Sequence, residues 1–405
     1  MTRKGVWNLQ QTRDKYLQSL WANDINLYGW GKNQNGTLGI NTRDTVHPGY
    51  SSPIQIGTNT NWRSFSGKAG GTTSAFMMAT KTDGTLWTWG QNRYGQLGQN
   101  GNELSSNGIS SPTQVGSGTD WSNEISRGVQ YAVAIKTDGT LWGWGQNQQG
   151  QLGQNIGTAV ADRSSPVQVP GTTWSKAYAA GSFTAAIKTN GELWMWGYQN
   201  KGNLGQNQGG TARYSSPVQV PGTTWDKADV GNSHTLAIKT DGTLWAWGDG
   251  GGGALGQNQP NTAHYSSPVQ IPGTNWKNCY GGGSNRSAAI TTDGELFIWG
   301  PNAKGDLGQN QNQSALDNAS SPIQITGTTW DKFSWITNGG WRAIKTDGTL
   351  WGCGKFTNGA ALYNDAPDDG ISSPVQIGSD ARWDSITSWG YGTHALRATL
   401  TPSQL

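Results

Sequence analysis

Four histidines (His47, His234, His264 and His394) and two cysteines (Cys279 and Cys353) are the most chemically versatile side chains of this 405-residue chain. A nucleophilic thiol needs a base within hydrogen-bond reach, and zinc needs several imidazole or thiolate ligands in one place. The spacing offers neither. No His-x-x-x-His and no Cys/His cluster occurs, and no histidine stands near Cys353 in any copy of the repeat described below. The one acidic cluster, Asn364-Asp365-Ala366-Pro367-Asp368-Asp369-Gly370, has oxygens for calcium. It lacks the alternating ligand spacing and closing Glu of an EF-hand loop, so it reads as a solvated loop. No catalytic residue, metal or cofactor is expected.

The composition narrows the partners. Net charge is +3 with no run of Lys or Arg, so the basic stripe that neutralises phosphates is missing and nucleic acid is not an expected partner. No apolar stretch is long enough to span a bilayer. The opening residues, Met1 to Lys15, contain no apolar core of a secretion signal. Charged residues make up only 13% of the chain, and 23 Trp stand against 6 Phe. That aromatic ratio is the fact any architecture must explain.

Stepping along the chain, one phrase recurs: an apolar strand, Thr-Asp-Gly, a Trp-rich strand, then Gly-x-Leu-Gly. The Trp-rich strands are Leu27–Gly31, Leu86–Gly90, Leu141–Gly145, Leu193–Gly197, Leu244–Gly248, Leu296–Gly300 and Leu350–Gly354, with closing glycines 51 to 59 residues apart. Ser-Ser-Pro-x-Gln also occurs seven times, each time followed by a Trp: Trp62, Trp121, Trp174, Trp225, Trp276, Trp330 and Trp383. Each copy reads as four short antiparallel strands. In one copy these are Lys176–Ala180, Thr184–Thr189 after a loop, Leu193–Trp196 after the hairpin turn Asn190-Gly191, and an outer strand after a proline, as at Val167–Val169. Four strands per repeat, seven times, is the arithmetic of a propeller. The chain begins with third and fourth strands, Leu27–Gly31 and Ile54–Ile56, and ends with first and second strands, Trp383–Trp389 and His394–Leu400. Joined, they complete one blade. The expected fold is an all-β, seven-bladed propeller over residues 25–405, closed by terminal strands that share a blade, with residues 1–24 as a separate N-terminal helical segment.

The Gly-x-Leu-Gly, Trp-Gly and Thr-Asp-Gly-x-Leu pattern resembles the regulator of chromosome condensation repeat. That resemblance implies seven blades. It leaves function open, because the family includes a guanine-nucleotide exchange factor, a plant ultraviolet-B photoreceptor, a secreted β-lactamase inhibitor and many docking domains. The exchange reading lacks its protruding wedge. The photoreceptor reading needs repeated Gly-Trp-Arg-His-Thr motifs, which only Gly340-Trp341-Arg342 echoes.

Residues present in every copy are assigned to packing: the glycines, the Leu of Gly-x-Leu-Gly (Leu38, Leu97, Leu152, Leu204, Leu255 and Leu307), and pairs such as Trp142 and Trp144. Cys353, in place of the last copy's second Trp, reads as a small core residue. His234 and His394 are taken as equivalent positions making structural hydrogen bonds. The residues that vary follow a glycine between first and second strands. Tyr131, Phe183, Asn232, Arg286, Trp341, Arg342 and Tyr391 are the expected binding face, because aromatics and arginines are favoured at contact hot spots. Ahead of the ring, Val6, Trp7, Leu9, Leu17, Leu20 and Trp21 form an apolar helical stripe expected to attach to a larger assembly. This Gly-Val-Trp-x-Leu-Gln opening resembles the leaders of marine bacteriophage structural proteins. The first expectation is therefore a non-enzymatic virion component, a tail or fibre protein, that docks by its N-terminus and presents loops to a protein or cell-surface glycan. The alternative is a soluble propeller for protein–protein interaction.

Overall fold

The repeat folds as its strand patterns dictate. In the computed structural model, residues 24–43, 49–66, 75–101, 108–155, 161–259, 263–283, 285–302, 305–311, 317–336, 339–355, 371–390 and 392–398 are described. They form seven four-stranded antiparallel sheets. Blade four is representative: Trp174–Ala180, Phe183–Lys188, Leu193–Gln199 and Ala212–Gln219, in that order. The outer strand holding Pro166, Arg163–Gln168, pairs with Leu141–Gly145 and so belongs to blade three. Proline is tolerated there because an outer strand has one edge with no ladder to feed.

Blade one is the shared blade. Its order is Trp383–Trp389, Gly392–Ala398, Ile25–Gly31 and Tyr50–Gln55. Ile25 to Gly31 pair residue for residue with Ala398 down to Gly392. Closure of this kind removes the open sheet edges that otherwise invite aggregation.

First strands line the axis and surround a small cavity of about 180 Å³, whose walls include Ser66, Ser126, Asp229, Tyr280, Ser334 and Trp335. Three of these polar side chains tie inner strands together. Ser126 Oγ accepts from the Ala179 N–H, Asp229 Oδ2 from that of Gly281, and Ser334 Oγ from that of Ser388. The core lies between blades, as the repeat logic requires. Leu97 packs with Trp144 of the next blade, Leu152 with Trp196, Leu204 with Trp247 and Leu255 with Trp299.

Candidate functional site: the varied face of the ring

An up-and-down meander sends its loops alternately to two faces. On one face lie the turns between second and third strands and the links from outer strand to next blade. These are nearly uniform. In the Thr-Asp-Gly turn, Asp83 Oδ1 accepts from the N–H and hydroxyl of Thr85, whose Oγ1 accepts from Trp87 Nε1 at 2.8 Å. The same triplet recurs at 138–142, 241–245 and 347–351. These bonds to the charged form hold the Asp83, Asp138 and Asp241 carboxyls below their usual range.

The opposite face carries the connections between first and second strands. These differ in length from blade to blade: two residues separate Ala180 from Phe183, whereas nine separate Ser66 from Phe76. The third-to-outer-strand loops open on the same side. Variation is thus confined to one face, where binding residues are usually carried.

The side chains named from sequence do not form that face as expected. Tyr131, Phe183 and Trp341 are buried, and so are Arg286 and Arg342. Only Asn232 is exposed, while Tyr391 and residues 1–23 lie outside the described residues. The correction has a simple cause. Tyr131, Phe183 and Trp341 are the first residues of second strands, not loop residues, and a second strand is covered on both sides by neighbouring blades. Tyr131 donates its hydroxyl to the Phe183 carbonyl of the next blade. Burial raises its pKa well beyond the usual phenol range. Arg286 Nη2 donates to Asp306 Oδ2 at 2.8 Å, with both side chains almost wholly buried. Asp306 Oδ1 also accepts from the Gly340 N–H at 2.6 Å, so this pair fixes blade six to blade seven.

The two histidines are not equivalent. His234 stands opposite Gly248, the closing glycine of its blade, and its Nε2 lies 3.0 Å from Ser287 Oγ in blade six. His394 stands opposite Gly29, two residues before the closing glycine, with its ring against Trp89. Burial first, and then the charge of Arg127, pull the His394 pKa down to about 3. Arg127 is itself buried, over the Phe76 ring, and its guanidinium nitrogens make no hydrogen bond among the described residues. Cys353 is fully buried and its thiol is pushed up by burial, which suits a core residue. The cluster 364–370 lies outside the described residues, and no group of metal-ligating side chains occurs among the described ones.

Two features escaped the sequence reading. One is an inter-blade latch. The Asn after each Gly-x-Leu-Gly adopts positive φ at Asn41, Asn100, Asn155, Asn207, Asn258 and Asn310. Its N–H donates to the first Ser carbonyl of the next blade's Ser-Ser-Pro, as from Asn155 to Ser215 at 2.7 Å. In five of the six, the Asn Oδ1 also accepts from the second Ser hydroxyl, as from Ser216 at 2.8 Å. Both halves were visible as repeated words; nothing in the spacing said that they met.

The other is an exchange of side chains in blade seven. In four other blades the third-strand indole donates to the preceding blade's Gly-x-Leu-Gly loop: Trp89 to Thr37 O, Trp144 to Gln96 O, Trp196 to Gln151 O and Trp299 to Ala254 O, all at 2.8–2.9 Å. In blade seven Cys353 holds that position. Trp341, its direct partner on the second strand, donates instead to Asp306 O at 2.9 Å. The Gly340-Trp341-Arg342 echo is therefore explained by packing.

The geometry defines a closed propeller whose recurring residues join blade to blade. Within residues 83–254 its repeat is the regulator of chromosome condensation repeat. A family model of that name matches residues 83–135, 138–187 and 190–238, and a second model of the same repeat matches 124–151 and 226–254. Each longer match begins in one blade and ends in the next. The mitochondrial RCC1 domain-containing protein RUG3 of Arabidopsis thaliana is 28% identical, covering 81% of this chain and 77% of its own length. The ultraviolet-B receptor UVR8 of the same plant is 27% identical over 86% and 77%. Among solved structures, Prp20p of Saccharomyces cerevisiae superposes with a TM-score of 0.77 at 16% identity, covering 100% of this chain and 98% of its own. Human WBSCR16 gives 0.77 at 18% identity, covering 93% and 100%.

Proposed function

We propose that this propeller is a non-enzymatic docking protein that binds a protein partner through its varied face. The observation that supports this is the division of labour between the faces: one is built from uniform turns, and the other holds every connection whose length changes between first and second strands. The solved structure of Prp20p is titled with its binding to Gsp1p and histones, and another shows Kap60 bound to the same protein. Those partners belong to Prp20p; they support protein recognition as the use to which such a ring is put. The virion reading, with a glycan receptor and attachment through residues 1–24, rests on the leader alone, and none of the relatives named above is a virion protein. The docking reading is preferred.

Two sets of loop variants test it. In one, Gly181-Ser182 and Gly231-Asn232-Ser233 are exchanged for a uniform Gly-Ser connection. In the other, exposed residues of the opposite face (Thr172, Thr223 and Asp241) are changed to Ser. A partner captured from the native source and purified is then titrated against each. Loss of about tenfold or more in affinity, equal to ~1.4 kcal/mol, confined to the first set supports the reading. Equal loss from both sets, or from the second alone, overturns it.

A further inference from the structure

Six of the seven blades clamp a cation between two aromatic rings. Lys81 lies over Trp62 and Trp87, Lys136 over Trp121 and Trp142, Lys188 over Trp174 and Trp194, Lys239 over Trp225 and Trp245, and Lys345 over Trp330 and Trp351, at 3.7 to 5.4 Å from the ring centres. In blade one Arg397 lies over Tyr28 and Trp383 at 5.5 and 5.7 Å. The register explains this regularity: the last residue of the second strand faces the Trp that opens the first, as Lys239 faces Trp225.

Blade six breaks the pattern. Thr291 faces Trp276 at the lysine's position, and Phe297 replaces the second Trp. The aromatic pair survives, with Trp276 and Phe297 5.3 Å apart and nearly perpendicular. Nearby stands a carboxylate. Glu295 occupies the place that Glu192 holds in blade four, where the carboxylate pairs with Lys188 at 3.6 Å. In blade six that cation is missing. Among the described residues Glu295 Oε1 accepts only an exposed hydrogen bond from Gln324 Nε2, and Thr291 Oγ1 accepts from the Glu295 N–H. Trp276, Phe297, Thr291 and Glu295 line a cleft of about 450 Å³ between blades five and six, with no Lys, Arg or His in its wall. The equivalent cleft of blade three, about 530 Å³, carries Lys136 in its wall and no acid.

We propose that the blade-six cleft binds a primary alkylammonium group, the end of a lysine side chain on a partner polypeptide, at the position that the chain's own lysines fill in five other blades. Two aromatic faces and one carboxylate are the chemistry that holds an ammonium group. The groups that would hold the ammonium, Trp276, Phe297, Thr291 and Glu295, flank the uniform turn and link of blade six, so this site stands whether or not the loops between first and second strands bind protein.

The test uses the full chain labelled at its indole nitrogens, with Trp276→Phe identifying the Trp276 signal. The probes are Nα-acetyl-lysine methylamide, its norleucine counterpart without the ammonium, and 1,5-diaminopentane. A saturable shift of the Trp276 signal is expected with the lysine probe and not with norleucine. Thr291→Lys, which rebuilds the arrangement of the other blades, fills the cleft from within and weakens binding about tenfold or more; Glu295→Gln weakens it in the same direction. Tighter binding of the diamine than of the lysine probe would redirect the site to free amines and overturn the polypeptide assignment. No saturable shift, an equal response to norleucine, or unchanged affinity in both Thr291→Lys and Glu295→Gln overturns the site itself.

Discussion

His394 shows how one buried side chain sets the pH response of the ring. It stands opposite Gly29, whose missing Cβ leaves room for the imidazole. Burial and Arg127 keep it neutral down to about pH 3. The unfolded chain takes up a proton on the same histidine near pH 6.5, so between those values the unfolded state binds more protons than the folded one. Stability is therefore fully present above pH 6.5 and falls as the pH drops toward 3, by up to about 1.4 kcal/mol per pH unit from this group. His394→Met, the residue type of Met78 at the matching place in blade two, should flatten that part of the profile. Denaturant unfolding at pH 7, 5 and 4 measures it; parallel profiles for the two proteins would show that His394 is not the source. The sequence marked His394 as structural but aligned it with His234, because a two-residue shift along a strand leaves no trace in composition. Arg286 stays in its loop and is buried by its pair with Asp306; Tyr131, Phe183, Trp341 and Arg342 were misplaced for a related reason. The glycine before them signals a loop, and where the loop ends is decided by ladder bonds to neighbouring strands.

At the scale of the element, the strand pattern was legible because its markers repeat. The Trp-rich third strands, the Thr-Asp-Gly turns and the split terminal blade all appear where the spacing puts them. What the spacing did not disclose is how two strands share one task. In six blades a Trp on the third strand faces a smaller residue on the second: Thr393 opposite Trp30, Met77 opposite Trp89, Ala132 opposite Trp144, Thr184 opposite Trp196, Thr235 opposite Trp247 and Ser287 opposite Trp299. Blade seven reverses the pair, with Trp341 opposite Cys353. The reversal makes a sharp expectation. Trp341→Thr alone empties the space that an indole fills and should cost about 3–5 kcal/mol. Cys353→Trp alone forces two indoles into one layer and should cost about 1–3 kcal/mol through overpacking. Together they recreate the arrangement of the other six blades, and the double variant should be more stable than either single one, a coupling read from a double-mutant cycle. Additive losses in thermal or denaturant unfolding would mean that the two positions do not share the site.

Over the whole molecule, the ring is held by contacts that each pass from one blade to the next, so its weakest point is wherever that sequence of contacts can be opened. The Asn–Ser latches, the indole-to-loop bonds and the bond from the Gly340 N–H to Asp306 all cross such boundaries. Blade one differs from the rest because its two halves are joined by ladder bonds between Ile25–Gly31 and Gly392–Ala398 and by side-chain contacts such as Arg397 over Tyr28, not by a turn. Beyond the shared blade, Ile25 also donates its N–H to the Thr60 carbonyl at 2.6 Å, tying the closure to the entry of blade two. A chain lacking residues 383–398 loses two strands and exposes the Ile25–Gly31 edge, and should self-associate. Removing a covalent boundary elsewhere should do far less. Ala398 and Ile25 are direct partners, so an Asn-Gly turn joining them makes the hairpin that every other blade already has at this place. A chain rearranged in this way, beginning at Asn61 and ending at Thr60, omits residues 1–24 and 399–405 yet keeps every ladder of the seven blades. It should remain monomeric on size-exclusion chromatography and melt no lower than the parent. A rearranged chain that aggregates like the truncated one, or melts far below the parent, would show that the ring depends on something other than strand-to-strand closure.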